Sequence, residues 1–172
     1  DILQRVRAQG GMPLTNIALK GHDIADLEPL RGMPLRYLSL RDNRISDLTP
    51  LAACRKLERV SLGDNPLSDL APLEGLPHLW SLGVAQCDLE HLEHLPRRNL
   101  SALNVAGNSI VDLAPLRGLL VHSITLSHNP LVDISPLSDL PLASVDLTAC
   151  DIENVEALSD LALNTLMLGG NH

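Results

Sequence analysis

The segment Leu35-Arg36-Tyr37-Leu38-Ser39-Leu40-Arg41-Asp42-Asn43-Arg44-Ile45-Ser46-Asp47-Leu48-Thr49-Pro50-Leu51 reads LxxLxLxxNxIxDLxPL, and its pattern recurs along almost the whole chain. Aligned copies begin at Leu14, Leu35, Leu57, Leu79, Leu100, Val121, Leu142 and Leu163, spaced 21, 22, 22, 21, 21, 21 and 21 residues. Apolar columns that keep register at such a short fixed period mark a solenoid, in which each turn buries its apolar face against its neighbours. The core is therefore spread along a stack.

Composition agrees. The 172 residues are 45% hydrophobic but only 1% aromatic, with Trp80 and Tyr37 the only rings and no Phe. Globular cores draw on aromatics for volume, whereas short identical turns tile best with Leu, Ile and Val. No apolar run approaches the roughly 18 residues of a membrane span, so no membrane partner is expected. The segment Asp1-Ile2-Leu3-Gln4-Arg5-Val6-Arg7 lacks the apolar core of a signal peptide. Cys54, Cys87 and Cys150 are odd in number and fall on inward columns, which reads as reduced thiols in a cytoplasmic protein.

Within each copy, LxLx is a short strand whose leucines point inward and whose intervening residues point outward. Stacking gives a parallel sheet at about 4.8 Å per copy, so eight copies span on the order of 40 Å. The ninth column holds His22, Asn43, Asn65, Cys87, Asn108, Asn129, Cys150 and Asn171. A buried Asn must satisfy its amide, and the backbone of the adjoining turn is the natural partner. This column is therefore expected to be a structural ladder, with Cys a small residue and weak donor in the same slot.

A second column holds Asp26, Asp47, Asp69, Asp112 and Asp133, each three residues before a proline. Calcium needs convergent carboxylates, and these are strung along the stack. The expected role is to cap a helical turn whose first positions tolerate Pro. Cys87, His91 and His94 have metal-like spacing, but the thiol should point inward and the imidazoles lie on the turn side. There is no glycine-rich phosphate loop, Gly10-Gly11 and Gly169-Gly170 being isolated turn signals. No Ser/His/Asp constellation stands out from the abundant Ser and Asp. The expectation is no catalysis, no cofactor and no metal.

A longer period overlies the short one. The first, fourth and seventh copies carry His22-Asp23, Cys87-Asp88 and Cys150-Asp151, whereas the third and sixth carry Asn65-Pro66-Leu67 and Asn129-Pro130-Leu131. A three-copy unit has been duplicated. The fourth and seventh copies also lose the Asp and Pro of the turn, so their outer turns should differ from the rest. Charge is segregated too: residues 1–60 hold ten Lys+Arg and seven Asp+Glu, net +3, and residues 61–172 hold three and fourteen, net −11.

Large or cationic residues on the outward columns concentrate in the first three copies, as Lys20, Tyr37, Arg41 and Arg59. From the fourth copy on, those columns are mostly small and uncharged. A protein partner is expected to centre on Tyr37, Ser39, Arg41 and Arg59, with Lys20 at the rim. A net acidic chain with one Tyr at its basic end argues against nucleic acid.

With LxxLxLxxNxIxDLxPL in full, and the DLxPL endings of Asp47–Leu51, Asp69–Leu73 and Asp112–Leu116, the chain resembles bacterial leucine-rich repeat proteins of the internalin-like type. It is also similar to the 22-residue repeats of the regulatory subunit of protein phosphatase 1. The resemblance covers about residues 14–172 and implies an α/β fold: a right-handed solenoid with a parallel sheet on the concave face and short 3-10 turns on the convex face. It further implies protein binding, usually through the concave face, without catalysis by the repeats. Three cysteines, and no evident C-terminal immunoglobulin-like cap, depart from the internalin pattern. The repeats could equally be the targeting domain of a larger enzyme or effector. Residues 1–13 are expected to form an N-terminal flank with a short helical cap built on Ile2, Leu3 and Val6. Residues 14–172 give seven full repeats and a partial eighth, apparently truncated, whose bare edge would favour self-association.

Overall fold

A computed structural model describes residues 2–8, 14–67 and 69–172. The Gly10-Gly11 turn signal lies outside the described residues. Eight three-residue strands form one sheet: β1 (Asn16–Ala18), β2 (Tyr37–Ser39), β3 (Arg59–Ser61), β4 (Ser81–Gly83), β5 (Ala102–Asn104), β6 (Ser123–Thr125), β7 (Ser144–Asp146) and β8 (Thr165–Met167). Every strand pairs in parallel with its sequence neighbour, in the order β1 to β8. Register follows the repeat column for column: Asn16 opposes Tyr37, Tyr37 opposes Arg59, and Arg59 opposes Ser81. The middle residue of each strand from Ile17 to Val145 is buried. One continuous core of Leu, Ile and Val therefore runs the length of the stack.

At the start of the chain, α1 (Ile2–Ala8) lays the fully buried Leu3 over the first copy. Its Arg7 guanidinium donates to the Glu28 and Pro29 carbonyls. At the other end β8 is the edge strand, with Leu166 and Met167 exposed.

The ninth column ties each copy to the one before it. The Asn43 side-chain oxygen accepts the N–H groups of His22 and Ile24 at 3.1 and 3.0 Å. Its amide nitrogen donates to the Leu19, Leu40 and Arg41 carbonyls. Asn108 repeats the arrangement with Cys87, Leu89, Val84, Val105 and Ala106, and Asn171 does so with Cys150, Ile152, Leu147 and Leu168. Asn65 accepts the Ile45 N–H and Asn129 that of Ile110. From Asn43 to Cys150 the slot is buried, so every amide atom there must find a partner.

Cysteine fills the slot differently. The Cys87 thiol donates to the Leu62 and Ala85 carbonyls at 3.3 Å each, and that of Cys150 to Leu126 and Thr148. A thiol lacks the strong acceptor that Asn offers the preceding copy. In both cases the preceding copy is an Asn-Pro-Leu copy. There the Leu67 N–H turns back to the Asn65 carbonyl at 2.9 Å, and the Leu131 N–H to the Asn129 carbonyl at 2.9 Å. The tight turn satisfies locally an amide that the next copy cannot reach. This explains why Asn-Pro-Leu precedes Cys in the three-copy unit.

Left-handed backbone follows both periods. The residue before the ninth column has positive φ in every copy, from Gly21, Asp42 and Asp64 through Gln86, Gly107, His128 and Ala149 to Gly170. At Gly107 a side chain would also strike the Gln86 Cγ at 2.9 Å. Asp23, Asp88 and Asp151 add a second left-handed residue, at φ of 53, 58 and 56°. Asp tolerates this region better than most residues. A proline, with φ held near −65°, could not stand there.

The aspartate column acts one residue earlier than an N-cap. The residue directly before each turn is apolar and makes no side-chain cap, as with Leu27, Leu48 and Leu70. Instead Asp26, Asp47, Asp69, Asp112 and Asp133 each accept the N–H two residues on, at 2.8–2.9 Å. Four of these turns are 3-10, and the fifth, α2 (Ala71–Glu74), is a single α-turn. The seventh copy corrects the expectation of an altered turn: Asn154 accepts the Glu156 N–H at 2.7 Å, and Glu156–Leu158 is an ordinary 3-10 turn without Pro. Only the fourth copy departs. It has no helical turn, His94 adopts φ of 66°, and Leu92 and Leu95 fill the core there.

Candidate functional site

The outward face of the sheet is polar and open. Near its N-terminal end, Tyr37 on β2 and Arg59 on β3 are register neighbours, and Trp80 immediately precedes β4. The Arg59 guanidinium carbon lies 5.4 Å from the Tyr37 ring centre and 5.7 Å from that of Trp80. One cation is thus held between two aromatic faces, each within the ~6 Å over which the ring quadrupole attracts it. Arg59 is exposed. Trp80 itself is 40% exposed.

Three neighbouring arginines are paired with carboxylates. Arg41 reaches Asp64 at 3.1 Å and lies across Gly63, where an added Cβ would sit 3.4 Å from its Nε. Arg36 donates to Glu58 at 2.8 Å, and Arg44 meets Asp23 at 2.9 Å. These are exposed pairs, so each contributes little stability. Their effect is to fix side-chain direction. Lys20 stands exposed at the rim, just beyond β1, and Ser39 is half-buried beside Ser61.

Beyond Arg59 the outward columns form a shallow trough of about 230 Å³ over β3–β6, floored by Ser61, Ser81, Gly83 and Ala102. This is smaller than the roughly 300–1,000 Å³ of a small-molecule pocket. Alternation places Tyr37, Arg41 and Arg59 on the outward face, as the structure has them, but does not single out Trp80 or Arg36. Both lie one column before the strand, outside the alternation that was used to assign outward positions. Trp80 being the chain's only Trp was the available signal.

Larger hollows lie on the turn side. One, about 790 Å³, is lined by Asp133, Asp151, Glu153 and Glu156 among others. Two smaller ones occupy equivalent places beside Asp88 and Asp23. Each coincides with the second left-handed residue of the three-copy unit, so they follow from the repeat geometry.

Reactive groups are few. The thiols of Cys54, Cys87 and Cys150 are all unpaired and buried. Burial pushes Cys87 up to about 11 and raises Cys54 and Cys150, so all three stay protonated at neutral pH and are poor nucleophiles. Cys87 and His94 do not meet: the thiol faces backbone carbonyls, whereas the His94 ring bonds the Glu74 carboxylate at 2.9 Å. Among the described residues, no three His, Cys, Asp or Glu side chains are grouped to hold a metal ion.

Comparison with known proteins agrees with this architecture. The family described as Leucine Rich repeats (2 copies) matches residues 35–78. No curated protein matches the chain in sequence. Among solved structures, internalin C2 (inlC2) of Listeria monocytogenes superposes with a TM-score of 0.84 at 26% identity, over 96% of this chain and 74% of that one. An internalin (inlF) from the same organism gives 0.77 at 21%, over 99% and 68%. The mouse RP105/MD-1 complex gives 0.75 at 24%, over 99% and 33%. The chain is a leucine-rich repeat solenoid with an internalin-like fold. Leucine-rich repeat proteins commonly mediate protein–protein interactions.

Proposed function

We propose that this solenoid is a non-catalytic module that binds a protein partner through the concave, sheet-bearing face, anchored at Tyr37 and Arg59 and joined by Trp80. Lys20, Ser39 and Arg41 frame the anchor. The observation that carries this reading is the clamped Arg59. Interface hot spots are enriched in Trp, Tyr and Arg that are already held in place, and here Arg59 touches both rings beside a stretch of small residues. The trough beside them is too small for a typical metabolite but admits the side chains of a protein segment. Among the described residues, the protonated thiols and exposed ion pairs place no nucleophile and base in reach of each other. The binding role is the same whether the solenoid acts alone or targets a catalytic domain within a larger protein. Three unpaired thiols fit a reducing, cytoplasmic setting.

A photo-crosslinking residue tests the face. Placed at Gly83 in the trough, it should trap the partner; placed at Glu156 on the turn side, it should not. Equal trapping from both positions, or trapping only from Glu156, would reject the concave face.

A further inference from the structure

We infer that the trough takes an extended protein segment that presents one acidic side chain, an Asp or Glu carboxylate, to Arg59. This rests on the concave-face reading above and adds the chemistry of the ligand.

The argument begins with charge. Among the described residues, Arg41, Arg36 and Arg44 are each paired with a carboxylate, whereas Arg59 has aromatic partners and no ion pair. Lys20 stands two strands away across the sheet, about 10 Å at about 4.8 Å per strand, and four residues farther along than the row of Asn16, Tyr37 and Arg59. The trough therefore offers one uncommitted guanidinium. A guanidinium carries parallel N–H groups, which match a carboxylate in a two-pronged bond. A phosphate group carries nearly two charges and is normally met by a cluster of cations, which the trough lacks.

The surroundings limit the rest of the segment. Past Arg59 the floor is Ser61, Gly83, Ser81 and Ala102, with Ser123 and Thr125 beyond. At Gly83 an added Cβ would find its nearest neighbour at 3.7 Å, the Ser61 hydroxyl, so the backbone does not need glycine and its smallness keeps the floor low. Farther along stands Asp146, and residues 61–172 carry a net charge of −11. A second acidic residue there would be repelled. The segment that fits has its acid at the Arg59 end and small, neutral residues across β4–β6.

Blocked ten-residue peptides provide the test. Four sets carry Glu, Gln, phosphoserine or Lys at one fixed central position, with the flanks randomised, and each is captured on the immobilised chain at low salt. The Glu set should be retained at least tenfold over the Gln set and above the phosphoserine set. Binding should perturb the fluorescence of the single Trp, Trp80. Arg59→Gln keeps much of the side-chain stem but removes the charge. It should abolish the preference while circular dichroism shows an intact fold. Equal retention of Glu and Gln, a phosphoserine set that exceeds Glu, a Glu preference that survives Arg59→Gln, or no capture from any set would each overturn the inference. Gly83→Trp separates this from the broader reading. If it lowers capture of every set, the trough is the binding face even where the acid preference fails; if capture is unchanged, the peptides bind elsewhere and the concave reading fails with it.

Discussion

The Leu67 N–H donates to the carbonyl of Asn65, two residues back, at 2.9 Å, and this bond is the counterpart of a missing oxygen in the next copy. Where Asn108 follows, the equivalent amide of the fourth copy, that of Leu89, bonds the Asn108 side chain at 3.1 Å. Where Cys87 follows, the amide bonds within its own copy. The two residue choices are coupled across the stack. Cys87→Asn alone should lower stability by about 1–3 kcal/mol, since it buries an amide oxygen whose second donor is already taken. Adding Pro66→Ser should recover part of the loss, with a coupling of about 1 kcal/mol in a double-mutant cycle. Strict additivity in urea unfolding would show that the two positions are independent.

Asn108 is as fully satisfied as Asn43, and its removal should be felt in two copies at once. Asn108→Ala strands the Cys87 and Leu89 N–H groups, which it holds at 2.9 and 3.1 Å, and takes a donor from the Val84 carbonyl, whereas the Val105 and Ala106 carbonyls keep the Asn129 amide and the Gln86 N–H. The expected loss is about 1–3 kcal/mol, read from chemical denaturation. No loss for either Asn108→Ala or Asn65→Ala would contradict the ladder.

The His94 imidazole gives a pH signature. Its hydrogen bond to the Glu74 carboxylate holds it above its ordinary value of 6.5. A raised value in the folded state means that the pairing contributes fully below the unfolded value and is lost as pH rises through the folded one. Thermal stability should therefore decline slightly on going upward from about pH 6.5. In Glu74→Gln the His94 ring resonances should titrate at lower pH, and the decline should flatten. A His94 titration that Glu74→Gln leaves unmoved would show that the pair does not form in solution.

Most of the fold could be read from the sequence because the repeat repeats its own evidence. Eight aligned copies fix which side of each strand is buried, and the register of Tyr37 on Arg59 and Arg59 on Ser81 follows from counting. The three-copy unit was legible as a pattern, but its cause was not. A thiol that cannot accept a strong hydrogen bond shows its consequence only when Cys87 and Leu67 are placed side by side. Single turns were read less well. Asn154 carries a side-chain oxygen in the same place as Asp, so the seventh copy keeps its turn, whereas His91 cannot and the fourth loses it. On the outward face, alternation located Tyr37 and Arg59 but not Trp80, whose contact with Arg59 spans a column boundary.

Affinity of the anchor variant for a partner tests the functional account most directly. Once a partner is trapped from Gly83, its binding to the chain should fall at least a hundredfold on Tyr37→Ala/Arg41→Ala/Arg59→Ala. That is about 2.7 kcal/mol, within the range expected for a hot-spot cluster. The three side chains are at least partly exposed, so circular dichroism and the unfolding midpoint should stay close to those of the parent chain. A folded triple variant that binds the same partner with undiminished affinity would contradict the claim that this end of the sheet is where recognition occurs.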